Sequence, residues 1–242
     1  MTDALVIIPT YNEIENIDKI IDAVLDLGPD FSVLIIDDNS PDGTAAVVKR
    51  KMADKWPDRL FLEERSGKLG LGTAYIHGFK WALDRGYKYI MEMDADFSHN
   101  PKDVPRLLKA CREEGADVAV GSRYIGGVNV VNWPMGRVLM SFYASAYVRI
   151  VTGMKLRDTT AGFVCYRREV LEEIGLDAIQ FKGYAFQIEM KYRAFRRKFK
   201  VVEVPIVFVN RVAGTSKMSG SIFGEAAFGV IKLRLQALRK KI

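Results

Sequence analysis

The sequence predicts an α/β protein built on a mostly parallel, doubly wound sheet flanked by helices. Strand-like and helix-like segments alternate through the first half of the 242 residues, as they do in successive βαβ units. The strand-like segments are continuous apolar runs, which is typical of parallel strands buried on both faces. No linker or internal repeat interrupts the chain. We therefore expect one catalytic domain over residues 1–218 and a C-terminal extension over 219–242.

The first half of the chain divides into regular elements in order. Residues 4–9 form an aliphatic run closed by proline, and residues 31–36 form a second such run that ends in a polar loop. Apolar residues at helical spacing follow the first run. The complete prediction for this half is strands over 4–9, 31–36, 59–63, 87–93 and 117–120, with helices over 13–27, 44–53, 70–85 and 101–114.

The second half is less regular. An amphipathic helix is predicted over residues 133–152 and another helix over 184–195, with strands over 161–166 and 201–209. The last segment is basic: residues 191–242 carry a net charge of +11, although the whole chain carries only +6. A basic end on an otherwise acidic protein indicates an anionic partner, either a membrane surface or a nucleic acid.

Acidic side chains follow three of the predicted strands at the point where each strand ends. Glu13 follows the first strand, Asp38 the second, and Asp94 and Asp96 the strand over 87–93. Each has an ordinary structural explanation, because aspartate is common in turns and Asn12 is a good helix N-cap. However, parallel strands end at one edge of a sheet, and ligands bind there. Their convergence favours a binding site.

The pair Asp94 and Asp96 has the spacing expected of a divalent metal site. Mg²⁺ and Mn²⁺ prefer carboxylate oxygens, and Mg²⁺ usually completes its shell with phosphates. Such a metal suits chemistry on a nucleotide-activated substrate. Arg123, Arg211 and Lys217 lie near glycines in predicted loops, where cations can bind phosphate. Alternatively, each of these three residues is an ordinary solvated surface cation that binds no phosphate.

Several ordered segments together resemble the motifs of glycosyltransferase family 2, whose members have the GT-A fold. The match covers residues 4–220 and is closest to the dolichol-phosphate and polyprenol-phosphate mannose synthases. The matching segments are residues 8–13, 37–44, 94–101, 121–124, 158–163, 183–189 and 211–217. Long motifs in a fixed order are far more specific than a lone Asp-x-Asp pair.

The resemblance implies a role for each matching residue. Asp94 and Asp96 would hold Mg²⁺ or Mn²⁺, and they would carry catalysis together with Arg123. The acceptor would lie at Arg123, Arg137 and Asp158. The nucleotide-sugar donor would be bound by Pro9, Tyr11, Glu13, Ile36, Asp38, Asp94, Ala95, Asp96, Arg123, Arg211 and Lys217.

The reaction implied is the inverting transfer of mannose from GDP-mannose to a polyprenyl or dolichyl phosphate. A phosphate monoester, with a second pKa near ~6, is already an anion at neutral pH and needs no strong general base. The chain also lacks the Gln-x-x-Arg-Trp motif of the family's polysaccharide synthases, whose hydroxyl acceptors do need a base. Two alternatives stay open: a UDP-glucose-dependent transferase for the same acceptors, and a non-catalytic peripheral membrane protein.

The C-terminal segment suggests how the protein could reach a lipid acceptor in a membrane. Apolar residues recur at near-helical spacing from Phe223 to Ile242, and Lys232 and Arg234 begin a basic face that continues in residues 239–241. Such a helix can lie on an anionic membrane. Alternatively, it packs on the body of the protein or docks on a small membrane subunit.

The expected location is cytoplasmic, peripheral on the cytoplasmic face of a membrane. The only cysteines, Cys111 and Cys165, have no partners at metal-ligand spacing, which favours a reducing compartment. We expect no nucleic-acid partner, because the aromatic residues near the basic tail do not interleave with its charges as in a base-stacking surface.

Overall fold

A computed structural model describes residues 2–183, 185–210 and 221–238, with side chains in the last range from Phe228 onward. The elements alternate as predicted in the first half of the chain. The strands are β1 (Ala4–Thr10), β2 (Phe31–Asp37), β3 (Leu60–Glu64), β4 (Tyr89–Glu92), β5 (Val118–Ser122), β6 (Val130–Val131), β7 (Val164–Arg167), β8 (Val201–Pro205) and β9 (Phe208–Val209). The α-helices are α1 (Ile17–Leu25), α2 (Thr44–Asp54), α3 (Leu71–Asp84), α4 (Val104–Arg112), α5 (Met135–Thr152), α6 (Arg168–Glu173), α7 (Ala185–Arg196) and α8 (Ser221–Leu238). Short 3₁₀ turns span Pro101–Asp103 and Leu176–Ala178.

The main sheet confirms the predicted mostly parallel, doubly wound architecture. Its seven strands lie in the order β3-β2-β1-β4-β7-β5-β8, and only β7 runs antiparallel to its neighbours. Alternate residues of β1 point to opposite faces, as the strand repeat requires. Val6 and Ile8 pack in the core beneath α1, α2 and α4, whereas Leu5 and Ile7 pack in the core beneath α3, α6 and α7.

Two predicted elements differ from the structure. The helix predicted over 13–27 begins only at Ile17, because Asn12 has a left-handed φ of 56° and residues 13–16 form a turn. The strand predicted over 201–209 is two strands in different sheets: β8 lies in the main sheet, and β9 pairs with β6. The chain leaves the sheet after Pro205, and its next amide, that of Ile206, donates to Ser122 O at 3.1 Å.

Helices α5, α7 and α8 form a smaller cluster beside the main core. Val148 of α5 and Val230 and Leu233 of α8 pack with Ile188 and Tyr192 of α7. The described part of the C-terminal segment is therefore a helix packed on the body. The predicted boundary at residue 218 and the basic residues 239–241 lie outside the described residues. Among the helices described, none is both long enough and apolar enough to span a membrane.

The crossing of α3 over β1 generates a prediction. Gly78 lies so close to Ile7 that an added Cβ would be 2.8 Å from the Ile7 Cγ2 atom. We expect Gly78→Ala to lower the free energy of unfolding by about 1–3 kcal/mol through overpacking. Chemical denaturation measures this change. Gly136→Ala in α5 is the matched control, because nothing lies within 4 Å of its Cβ position; equal destabilisation of both variants would contradict the packing argument.

Candidate active site

The loops after β1 and β2 are joined by hydrogen bonds from backbone amides to polar side chains. Asp42 accepts from the amides of Ile14 and Thr44, each at 3.0 Å. The Glu13 amide donates to Thr44 Oγ1 at 3.1 Å. Burial raises the pKa of Asp42, but these hydrogen bonds outweigh burial and leave the pKa below its ordinary value. The two predicted nucleotide-binding loops therefore form one fixed unit.

Asp38 pairs with an arginine that sequence analysis did not identify. Arg65 follows β3, and its Nε and Nη2 atoms lie 2.6 and 2.5 Å from Asp38 Oδ1. Arg65 Nη1 also donates to Thr73 Oγ1 at 2.8 Å. Both members of the ion pair are more than nine-tenths buried. Arg65 thus ties the end of β2 to the start of α3, next to the position predicted for the nucleotide.

The other predicted donor residues lie around this unit. Pro9 and Ile36 are register partners across β1 and β2, and Pro9 is half-buried whereas Ile36 has no exposed surface. The Tyr11 ring lies 5.4 Å from Lys68 Nζ, so the glycine-bearing loop over 67–72 comes close to the end of β1. Ala95 is buried.

The aspartate pair lies on the loop after β4, where a neutral histidine holds the backbone. The Asp94 amide donates to His99 Nδ1 at 3.1 Å, and the Ser98 amide donates to Asp96 Oδ1 at 3.0 Å. His99 stacks on Phe163 at 4.8 Å. Burial lowers the pKa of His99 to about 4, so at neutral pH the ring is uncharged and Nδ1 can accept the hydrogen bond from the Asp94 amide. These contacts fix the Asp94 backbone and the Asp96 carboxylate at the end of the sheet.

The chemistry of these groups fits a divalent cation. Asp96 is buried and the Asp94 side chain is 41% exposed, so one carboxylate is fixed and the other faces solvent. The Ser98 hydroxyl is buried and has no hydrogen-bond partner in the part of the chain described. No cluster of three or more His, Cys, Asp or Glu ligands occurs among the described residues. A cation held here would take part of its shell from substrate phosphates or water.

A buried ion pair fixes Arg123 beyond the end of β5. Asp158 Oδ2 accepts from the Arg123 amide at 2.9 Å and from Nε at 2.7 Å, and Oδ1 accepts from Nη2 at 2.7 Å. Burial raises the pKa of Asp158, but the charge and hydrogen bonds of Arg123 outweigh it and hold the pKa below its ordinary value. Asp158 has no exposed surface, and its carboxylate holds Arg123 in place.

Aromatic rings connect Arg123 to Arg137. The Trp133 ring centroid lies 5.6 Å from Arg123 Cζ and 4.0 Å from Arg137 Cζ. Arg137 Nη1 also donates to Asn210 Oδ1 at 3.2 Å. Two of the predicted phosphate-binding arginines are therefore held against one ring. Arg211 and Lys217, also predicted to bind phosphate, lie outside the described residues.

A second buried polar network links β4 to α7. Gln187 Nε2 donates to Glu92 Oε2 at 2.5 Å, and Lys191 Nζ donates to Gln187 Oε1 at 3.3 Å and to Ala161 O at 2.6 Å. Burial raises the pKa of Glu92 to about 8 and lowers that of Lys191 to about 8. Sequence analysis missed this network. Its only signal was a glutamate inside an apolar strand.

Comparisons with known proteins agree with these observations. The family model described as glycosyl transferase family 2 matches residues 5–175. A polyprenol monophosphomannose synthase from Mycolicibacterium smegmatis is 51% identical over 227 residues, covering 93% of this chain and 84% of that protein. An undecaprenyl-phosphate mannosyltransferase from Micrococcus luteus is 47% identical over 233 residues, covering 96% of this chain and 94% of that protein.

Solved structures share the fold at low sequence identity. Glucosyl-3-phosphoglycerate synthase from Mycobacterium tuberculosis, solved with Mn²⁺ and UDP, superposes with a TM-score of 0.67 at 19% identity, covering 98% of this chain and 79% of that one. A mannosyltransferase from Pyrobaculum calidifontis, solved with GDP-mannose and Mn²⁺, gives 0.57 at 18% identity, with coverages of 98% and 74%. At these identities the likeness concerns the fold alone.

The Arg123–Asp158 pair predicts a large effect of one substitution. Asp158→Asn leaves a buried guanidinium without its counter-charge, so we expect a loss of about 3–5 kcal/mol in the free energy of unfolding. Because the pKa of Asp158 is lowered on folding, this difference is fully present above pH ~4 and shrinks as the pH falls further. Urea denaturation across this pH range measures it.

The control for this prediction is an exposed ion pair. Glu172 Oε1 lies 2.6 Å from Arg168 Nε, with side chains 44% and 30% exposed. Glu172→Gln should cost less than about 1 kcal/mol. A similar small loss for Asp158→Asn would show that the buried pair does not stabilise the fold.

Proposed function

Because this chain belongs to glycosyl transferase family 2, we propose that it transfers mannose from GDP-mannose to a polyprenyl phosphate, with inversion at the anomeric carbon. The observation that carries the proposal is the 51% identity, over 93% of this chain, to a polyprenol monophosphomannose synthase. The site is consistent with it, since Asp94 and Asp96 follow the end of β4 and Arg123 follows the end of β5.

The donor half is proposed to be the joined loops after β1 and β2. Tyr11, Glu13 and Asp38 would recognise the base and ribose, with Pro9, Ile36 and Ala95 forming the surface beneath. Asp38 is held by Arg65, so its remaining lone pairs have a fixed direction before the nucleotide arrives. Such positioning reduces the entropy loss on binding.

Asp94 and Asp96 are proposed to hold Mg²⁺ or Mn²⁺ against the diphosphate of the donor. When bound, the metal would supply positive charge that stabilises the departing GDP. Neither aspartate is proposed as a base. The hydrogen bonds from Ser98 N to Asp96 and from Asp94 N to His99 hold the loop in position before the substrates bind.

The acceptor half is proposed to centre on Arg123 and Arg137. The attacking group is a phosphate oxygen that is already anionic, so the chain must orient it rather than deprotonate it. A guanidinium fixed by Asp158 can do this without rearranging during the reaction. Arg211 and Lys217 are proposed to add positive charge at the diphosphate.

The lipid acceptor requires contact with a membrane. We propose a peripheral location on the cytoplasmic face, with the C-terminal extension over 219–242 as a contact to the bilayer or to a small membrane subunit. The exposed Lys232 and half-buried Arg234 of α8 are the described basic residues of that extension, and they suit anionic headgroups.

The metal proposal predicts the behaviour of Asp96→Ala. We expect mannosyl transfer to fall by about 100-fold or more, because the leaving diphosphate loses its counter-charge. Mn²⁺ binding in the presence of GDP, followed by calorimetry, should be lost in the same variant. Asp58→Ala, which removes an exposed carboxylate away from the site, is the control. Full activity of Asp96→Ala, or of wild type in excess EDTA, would refute a metal role.

The donor proposal is tested by binding of nucleotides in the presence of Mn²⁺. We expect GDP to bind at least about tenfold more tightly than UDP, a difference of about 1.4 kcal/mol. Competition calorimetry measures both constants on one sample. Tighter binding of UDP would favour a glucosyltransferase for the same acceptor class instead.

A further inference from the structure

Helix α7 is buried on every side although it carries charges. Residues 185–194 are all buried, and a helix in such a position is normally apolar all round. Four of these residues carry an amide or a charge: Gln187, Glu189, Lys191 and Arg193. Burying such groups is costly unless each one is hydrogen-bonded, so their partners show what the helix holds in place.

One pair, Glu189 and Arg193, supports the chain that leads into α7. Arg193 donates to Ile174 O at 3.2 Å, to Ala178 O at 2.6 Å and to Glu189 Oε1 at 2.9 Å. Glu189 Oε2 accepts from the two backbone amides at residues 180–181, at 2.9 and 3.1 Å. None of these partners belongs to the proposed site, so the role of this pair is structural.

The other pair, Gln187 and Lys191, faces the site. Lys191 Nζ donates to Gln187 Oε1 at 3.3 Å and to Ala161 O at 2.6 Å, and Gln187 Nε2 donates to Glu92 Oε2 at 2.5 Å. Glu92 is the last residue of β4 and lies two residues before Asp94. The pair therefore connects the strand that leads to the aspartates with the backbone at residue 161.

The backbone at residue 161 belongs to a short segment, residues 158–163, whose first part holds Arg123. Asp158 accepts three hydrogen bonds from Arg123, and Thr160 Oγ1 accepts from Arg123 Nη2 at 2.9 Å. Ala161, whose carbonyl accepts from Lys191, is the next residue. A shift of this segment would therefore move the guanidinium that is proposed to orient the acceptor.

The last part of the 158–163 segment contacts the aspartate loop. Phe163 stacks on His99 at 4.8 Å, and His99 Nδ1 accepts from the Asp94 amide. Between the two ends, a Cβ added at Gly162 would lie 3.7 Å from Gln187 Nε2, so the Gln187 side chain lies against the middle of the segment. The segment thus joins the two proposed halves, and α7 supports it from behind.

The charge of Lys191 attracts the elements on both sides of it. Its side chain has no exposed surface, and hydrogen bonds from an ionised donor are stronger than neutral ones. Burial lowers the pKa of Lys191, and the negative charges of Glu92 and Asp158 oppose that change. Glu92 lies on β4 and Asp158 on the 158–163 segment. The buried ammonium therefore draws the strand and the segment toward one point.

We infer that Lys191 is a positioning residue for the proposed transfer: it holds the 158–163 segment against β4 and so fixes the separation between Arg123 and the aspartate loop. Because it has no exposed surface, it acts through Gln187 and Ala161 and not by touching a substrate. The inference rests on the proposed function for the reaction whose rate it affects.

The test is Lys191→Met in the full chain, which removes the ammonium and keeps a side chain of similar length. We expect kcat for mannosyl transfer to fall by about tenfold or more, because small displacements of reacting groups have large effects on rate. The Kd of GDP with Mn²⁺ should stay within about threefold, since Asp38 is held separately by Arg65. A purely structural role would lower the unfolding temperature without this split between kcat and Kd.

The matched control is Arg193→Met, which removes a cation buried in the same helix but bonded only outside the proposed site among the described residues. Its kcat, measured on the folded protein, should stay within about threefold of wild type. An equal loss of kcat in both variants would overturn the inference, because any charge removed from α7 would then have the same effect. A kcat of Lys191→Met within twofold of wild type would also overturn it.

A second variant keeps the test decisive if Lys191→Met does not fold. The double variant Glu92→Gln/Lys191→Met removes both charges and leaves neither of them buried without its partner. Its kcat should be about tenfold or more below that of Glu92→Gln alone, because only Lys191 donates the hydrogen bond to Ala161 O. Equal kcat values would show that Lys191 merely neutralises Glu92, and would refute a positioning role.

Amide hydrogen exchange separates this inference from the proposed function. The Arg123 amide donates to Asp158, so loosening of the 158–163 segment exposes it locally. In Lys191→Met we expect it to exchange about fivefold faster or more, relative to the Val6 amide of β1. An unchanged relative rate would contradict the inference. If wild type transfers no mannose to polyprenyl phosphate, the proposed function fails, while exchange still decides whether Lys191 holds the segment.

Discussion

The buried ion pair between Arg123 and Asp158 is the interaction on which the proposed acceptor half of this protein depends. Removing two charges from water is costly, and only close mutual hydrogen bonding offsets that cost. Here three donor groups of Arg123 reach one carboxylate, and the Asp158 amide is in turn held by Glu203 of β8 at 2.8 Å. The guanidinium is thereby fixed before any substrate arrives, which is what electrostatic catalysis requires.

The proposed donor half is also held by buried polar contacts. Asp38 is paired with Arg65, and the loop after β4 is held by a neutral histidine. The network of Glu92, Gln187 and Lys191 joins β4, the strand that precedes the aspartates, to helix α7. Positions in both proposed halves are thus set by buried polar groups.

Sequence patterns predicted the architecture well because long apolar runs and their spacing report burial directly. The same patterns placed the loops carrying Glu13, Asp38 and Asp94 at one edge and indicated Arg123 as a phosphate-binding cation, and the family resemblance added Asp158. Partners such as Arg65 and Lys191 could not be predicted, because the sequence does not distinguish a buried, paired arginine or lysine from a solvated one.

The reversed direction of β7 has a consequence for how such a protein can diversify. The chain leaves the sheet after Ser122 and returns at Val164, and everything proposed to touch the acceptor, from Arg123 through α5 to Asp158, lies on that single excursion. The strands at both ends of it are held by backbone ladders, which do not depend on side-chain identity. The residues proposed to recognise the acceptor therefore lie on one continuous stretch of chain, and exchanging that stretch would leave the strands β1 to β4 unchanged.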